Sequence, residues 1–70
     1  MKEVVIKDEF IKLDQLLKYV GIAQTGGESK HLISSEMVKL NGIVVTQRGK
    51  KIRSGDTVEV EGYEEAYRVK

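Results

Sequence analysis

Asn41-Gly42, set between Val38-Lys39-Leu40 and Ile43-Val44-Val45, constrains this chain more than any other feature. Both residues accept the positive φ of a two-residue type I′ turn, so the flanking runs form a tight antiparallel hairpin. The turn fixes the register: Leu40 opposes Ile43, Lys39 opposes Val44 and Val38 opposes Val45. Side chains alternate across a strand, which puts Val38, Leu40, Ile43 and Val45 on the core face and Lys39 on the outer one.

Upstream of the hairpin, Leu13, Leu16, Leu17 and Val20 follow the i, i+3, i+4, i+7 rule and predict a first helix. Asp14 suits its opening turn and Gly21 the left-handed position past its end. Thr25-x-x-Glu28 is a capping box that starts a second helix at Gly26. In it the threonine hydroxyl accepts from the amide of residue 28, and Glu28 is expected to reach back to the amide of residue 25. A helical wheel puts Ser29, Leu32 and Ile33 on the packing side and Gly27, Lys30, His31 and Ser34 opposite. Val4-Val5-Ile6 within Lys2 to Lys7 reads as a short edge strand. Arg53-Ser54-Gly55-Asp56 reads as a turn, Val58 and Val60 alternate with Glu59 and Glu61 as a half-buried strand, and Tyr67 with Val69 marks a last strand. The expected class is α+β, with two short helices packed on one face of a small, largely antiparallel sheet of four to five strands.

Seventy residues make one domain, 1–70, close to the size at which a single apolar core barely suffices. There is no Cys, so stability comes from packing alone, on the order of 3–5 kcal/mol. The absence of thiols, with one His, also argues against a metal site. Ser29, Ser34, Ser35 and Ser54 have only His31 as a base, and no pattern sets any of them beside it, so neither a catalytic residue nor a cofactor is expected. The longest apolar run is three residues and acids mix with bases at the N-terminus, so neither a signal peptide nor a membrane span is expected. A cytoplasmic monomer is the simplest expectation.

Net charge is only +1, but the charges are segregated. Residues 37–53 carry Lys39, Arg48, Lys50, Lys51 and Arg53 with no acid, whereas residues 54–66 carry Asp56, Glu59, Glu61, Glu64 and Glu65 with no base. Ile52 reads as the core anchor of the basic loop, and Gly49 lets the loop turn so that Arg48, Lys50 and Lys51 spread apart, as contact with successive phosphates of a nucleic acid would require. The aromatic residues Phe10, Tyr19, Tyr63 and Tyr67 are not interleaved with these bases in the sequence. Recognition of backbone shape is therefore expected rather than base stacking.

Leu13-Asp14, Gly21-Ile22-Ala23, Glu28 with Lys30 and Leu32-Ile33, Val38-Lys39-Leu40-Asn41-Gly42 and Ser54-Gly55-Asp56, in this order and spacing, resemble the S4 RNA-binding domain. Thr25-Gly26-Gly27-Glu28-Ser29-Lys30 and Arg48-Gly49-Lys50-Lys51 look most like the small stand-alone S4 proteins of bacteria, the YaaA/YbcJ-like group. The resemblance implies the S4 (alpha-L) fold and non-catalytic binding of structured RNA, with ribosomal RNA or a ribosome assembly intermediate as partner and ribosomal proteins as further ones. It implies that the side of helix two bearing Lys30 and His31 meets the RNA, and Lys12 matches a position that is commonly basic in the family. The full set of expected RNA contacts is Lys12, Lys30, His31, Lys39, Arg48, Lys50, Lys51 and Arg53.

Gly26-Gly27 has two readings. Bare amides at a helix N-terminus allow a phosphate to approach; alternatively Gly27 lets a strand or loop pack against the helix, which the negative charge of Glu28 favours. The chain departs from the family pattern here, where Gly26 replaces a frequent arginine, and again at Glu36, where a glycine often ends helix two. Two other functions stay open: an adaptor that contacts a basic protein through the acidic stretch 56–65, and a ribosome-rescue factor that holds a transfer RNA.

Overall fold

The computed structural model describes residues 1–70. Helix α1 (Leu13–Tyr19) is seven residues long, too short to persist alone, and is held by Leu13, Leu16 and Leu17, all wholly buried. Gly21 follows it at φ +85°, the left-handed position expected of it. Helix α2 (Gly26–Ser34) begins at Thr25, whose hydroxyl accepts from the Glu28 amide at 3.1 Å. Glu28 reaches one residue further back than expected: its carboxylate accepts from the Gln24 amide at 3.0 Å, so the box closes on residue 24 rather than 25. Ser29, fully buried, donates its hydroxyl to the Asp14 carbonyl at 3.1 Å and ties the two helices together. The end of α2 is a Schellman motif, in which Glu36 N–H donates to Ile33 O and Met37 N–H to Leu32 O, each at 3.2 Å. Glu36 itself takes the left-handed position at φ +63°.

The seven strands are β1 (Lys2–Val4), β2 (Phe10–Lys12), β3 (Val38–Leu40), β4 (Ile43–Val44), β5 (Lys51–Arg53), β6 (Thr57–Val60) and β7 (Tyr67–Val69). Five form one sheet in the order β1-β7-β6-β3-β4, antiparallel except where β1 runs parallel to β7 as an edge strand. Twelve buried apolar residues from the helices, the connection between them (Ile22 and Ala23), this sheet and Ile52 make one core.

The hairpin has the expected register, with Leu40 opposite Ile43 and Lys39 opposite Val44, and its turn residues Asn41 and Gly42 lie at φ +51° and +85°. One expectation fails here. Val38 is fully buried, but Ile43 is 71% exposed. Strand β4 is the outermost of the sheet, with a neighbour on one side only, so alternation alone did not bring Ile43 into the core. Asn41 fixes the hairpin tip to the next turn: its side-chain amide donates to Asp56 at 3.0 Å and its side-chain carbonyl accepts from the Thr57 amide at 2.9 Å.

The remaining two strands, β2 and β5, pair antiparallel as a separate ribbon. Residues 51–53, expected to be part of a loop, are therefore a strand, and their partner lies forty residues earlier.

Candidate nucleic-acid interface

The ribbon decides where the cations go. On β5, Ile52 points inward and is fully buried, which turns Lys51 and Arg53 outward. On β2, Phe10 and Lys12 share that outer face. The register sets Lys12 opposite Lys51 and Phe10 opposite Arg53. Phe10 thus stands among the bases although it is distant from them in sequence, a placement that the spacing of aromatic residues does not indicate. Lys51 Nζ lies 4.7 Å from the centroid of its ring and Arg53 Cζ 5.7 Å, both within cation–π range.

The loop before β5 is bound to the first turn of α1. Leu13 N–H donates to Lys50 O at 2.9 Å and Asp14 N–H to Arg48 O at 3.0 Å. These carbonyls satisfy helix amides that no side chain caps. Arg48, Lys50, Lys51 and Arg53 are thereby fixed beside Lys12 on a backbone with little freedom. Lys30 is exposed on α2, whose Ser29 binds the Asp14 carbonyl of α1, the residue whose amide binds Arg48.

Two of the expected contacts lie elsewhere. His31 lines a hollow between α2 and the residues after β6, together with Gly27, Glu28 and Tyr63. Lys39 projects outward as expected, but directly opposite Glu59 of β6. It borders a hollow of about 390 Å³ lined by Glu36, Glu59, Glu61, Glu64 and Glu65. None of Arg48, Lys50, Lys51 and Arg53 lines that hollow, so of the basic block only Lys39 meets the acidic surface.

Gly26 and Gly27 are both exposed at the start of α2. A Cβ at Gly26 would meet nothing within 4 Å, and one at Gly27 would meet only the Thr25 hydroxyl at 3.7 Å. The packing reading of Gly27 is therefore overturned, because no strand or loop comes close enough to need a missing side chain.

The candidate cations are all exposed and have no acidic partner. The two ion pairs of the chain join the Met1 amino group to Glu65 and Lys70 to Glu3, both at 3.4 Å. The His and acidic side chains form no cluster of three that could hold a metal ion. No helix is long and apolar enough to cross a membrane.

Residues 4–70 match the family model of the S4 domain. RlbA of Bacillus subtilis (strain 168), a probable ribosome maturation protein, is 40% identical over 58 residues, covering 83% of this chain and 82% of that protein. YbcJ of Escherichia coli (strain K12) is 35% identical over 57 residues, 81% of each chain. The solution structure of YbcJ from E. coli, reported to reveal an ALFAL motif involved in RNA-binding, superposes with a TM-score of 0.73 at 31% identity, over 99% of this chain and 86% of that one. Its two helices, sheet order and hairpin together with these matches place the chain in the S4 domain family.

Proposed function

We propose that this protein binds structured RNA without catalysing a reaction, and that its partner is ribosomal RNA or an assembling ribosomal particle. The observation that carries the reading is the placement of Lys12 directly opposite Lys51 on a two-stranded ribbon, with neither in an ion pair with a carboxylate. Like charges in directly opposed positions destabilise a strand pair. Such a violation of local rules, on the most rigidly anchored part of the basic segment, makes physical sense where an anion supplies the missing charge. Phosphates of an RNA backbone do so. The S4 family membership and the names of the two relatives support the same reading.

Lys12, Arg48, Lys50, Lys51 and Arg53 form the centre of the contact and Lys30 extends it along α2. Lys39 and His31 stand at its periphery. Contacts of this kind fix position and orientation on the RNA rather than its sequence. The protein acts in the cytoplasm as a monomer.

Salt titration against a structured ribosomal RNA fragment tests this. Neutralising about four to six phosphates gives a slope of log affinity against log salt on the order of −3 to −5. Lys50→Ala/Lys51→Ala should flatten the slope by up to about two and leave the fold intact, since both side chains are exposed. Affinity indifferent to salt and to these lysines would remove the reading. The rival, an adaptor for a basic protein, draws on the five glutamates around the 390 Å³ hollow, and it predicts a protein partner whose capture does not depend on the loop lysines.

A further inference from the structure

Phe10 belongs to two surfaces at once. One is the cationic ribbon; the other is a shallow hollow of about 290 Å³ between β2 and α1, which Phe10 lines together with Val5, Ile6, Ile11, Gln15 and Tyr19, and which the charged Lys7 and Asp8 also line. Two of these residues are conspicuously placed. Val5 and Tyr19 are each 67% exposed, although both are apolar enough to have been buried in a chain short of core. Ile6, Phe10 and Ile11 form a half-buried floor, and Gln15 offers an amide at the rim.

We infer that this hollow receives one unstacked base of the bound RNA, while the flanking phosphates rest on Lys51, Arg53 and Lys12. The inference deepens the RNA-binding reading and rests on it. Three features favour a nucleotide over other occupants. The volume is at the low end of small-ligand sites, roughly 300–1,000 Å³, which suits a single heterocycle. An aromatic side chain at the edge of the hollow, Tyr19, supplies a π-face, and the Gln15 amide can donate to and accept from a base edge. The charges also fit: Lys51 and Arg53 lie within 6 Å of the Phe10 ring in the hollow's floor, and Lys7 offsets Asp8 in formal charge on the lining, so a group that is flat and apolar at one end and anionic at the other meets complementary surface at both. An apolar side chain of a protein partner would leave those cations unmatched. The reading adds to the ribbon a preference for RNA with a bulged or looped-out nucleotide, which backbone contacts alone do not give.

Two blunt RNA duplex stems without a loop test it, identical except that one carries a single bulged 2-aminopurine. The bulged stem should bind more tightly by roughly five- to hundredfold, the range expected for stacking one base. The 2-aminopurine fluorescence should be quenched on binding. Tyr19→Ala should abolish the preference and the quenching while leaving affinity for the fully paired stem and its salt slope unchanged, and Tyr19→Phe should restore both. Tyr19 is exposed, so the fold should tolerate either change. Equal affinity for the two stems, or a preference that survives Tyr19→Ala, overturns the base site while salt-dependent binding of the paired stem still upholds the RNA reading. Failure of both stems to bind overturns both. A Tyr19→Ala variant that instead changes the sedimentation of the free protein would assign the hollow to a second copy of the chain and likewise overturn the inference.

Discussion

Glu36→Gly should make this protein more stable, against the usual effect of placing glycine beside a helix. Glu36 occupies the left-handed residue of the Schellman motif at φ +63°, held there by its own amide on Ile33 and the Met37 amide on Leu32. A side chain with a Cβ pays roughly 1–2 kcal/mol for that conformation. Glycine removes this cost, but it gains freedom in the unfolded chain, which takes back about 0.5–1 kcal/mol. Taking the middle of each range, the net gain is about 0.8 kcal/mol. At roughly 4–8 °C per kcal/mol for a domain of this size, the midpoint of a thermal melt should rise by about 3–6 °C. A second contribution has the same sign, because Glu36 shares its hollow with Glu59, Glu61, Glu64 and Glu65. These carboxylates are exposed, so salt screens their repulsion and the contribution is small. Glu36→Ala separates the two: it keeps the Cβ, loses the charge and should show little or no rise. Melts followed by circular dichroism at low and high salt decide the matter. A Glu36→Gly protein that melts no higher than the parent would refute the strain argument, and an alanine variant that gains as much as glycine, only at low salt, would assign the whole effect to charge.

Other substitutions probe different parts of the argument. Leu16→Ala, at a fully buried position of α1, should cost about 2–5 kcal/mol, which in so small a core leaves the chain largely unfolded; a loss below about 1 kcal/mol in chemical denaturation would contradict the packing described. Asn41→Ala removes two hydrogen bonds to the Asp56–Thr57 turn as well as a residue suited to positive φ, and should cost about 1–3 kcal/mol by the same measurement. Glu61→Gln/Glu64→Gln should leave RNA affinity unchanged or slightly higher, as read by fluorescence anisotropy, whereas a marked loss would connect the acidic hollow to RNA rather than separate it.

The features legible in the sequence are those completed within a few residues. Thr25 and Glu28, the leucine stripe of α1 and Asn41-Gly42 each carry their physical reason inside one turn of chain, and each forms where expected. Glu28 misses its expected partner by a single residue for the same reason, since a flexible carboxylate chooses between adjacent amides. What stayed hidden depends on pairing across long separations. A three-residue strand such as Phe10-Ile11-Lys12 has too little alternation to announce itself, and nothing local says that it pairs with Lys51-Ile52-Arg53. Yet that pairing is what turns a run of bases into a site. It brings Lys12 opposite Lys51, inserts Phe10 among the cations and hangs the Arg48–Lys50 carbonyls on α1. Lys39 shows the converse: its outward direction follows from the hairpin, but its acidic surroundings follow from the strand order that sets β6 beside β3. Charge runs thus indicate that a small domain has a polar partner, and long-range register decides which members of the run can meet that partner together. On this argument Lys12, absent from the basic run and twenty-seven residues before its first member, should matter more to RNA affinity than Lys39, which begins it.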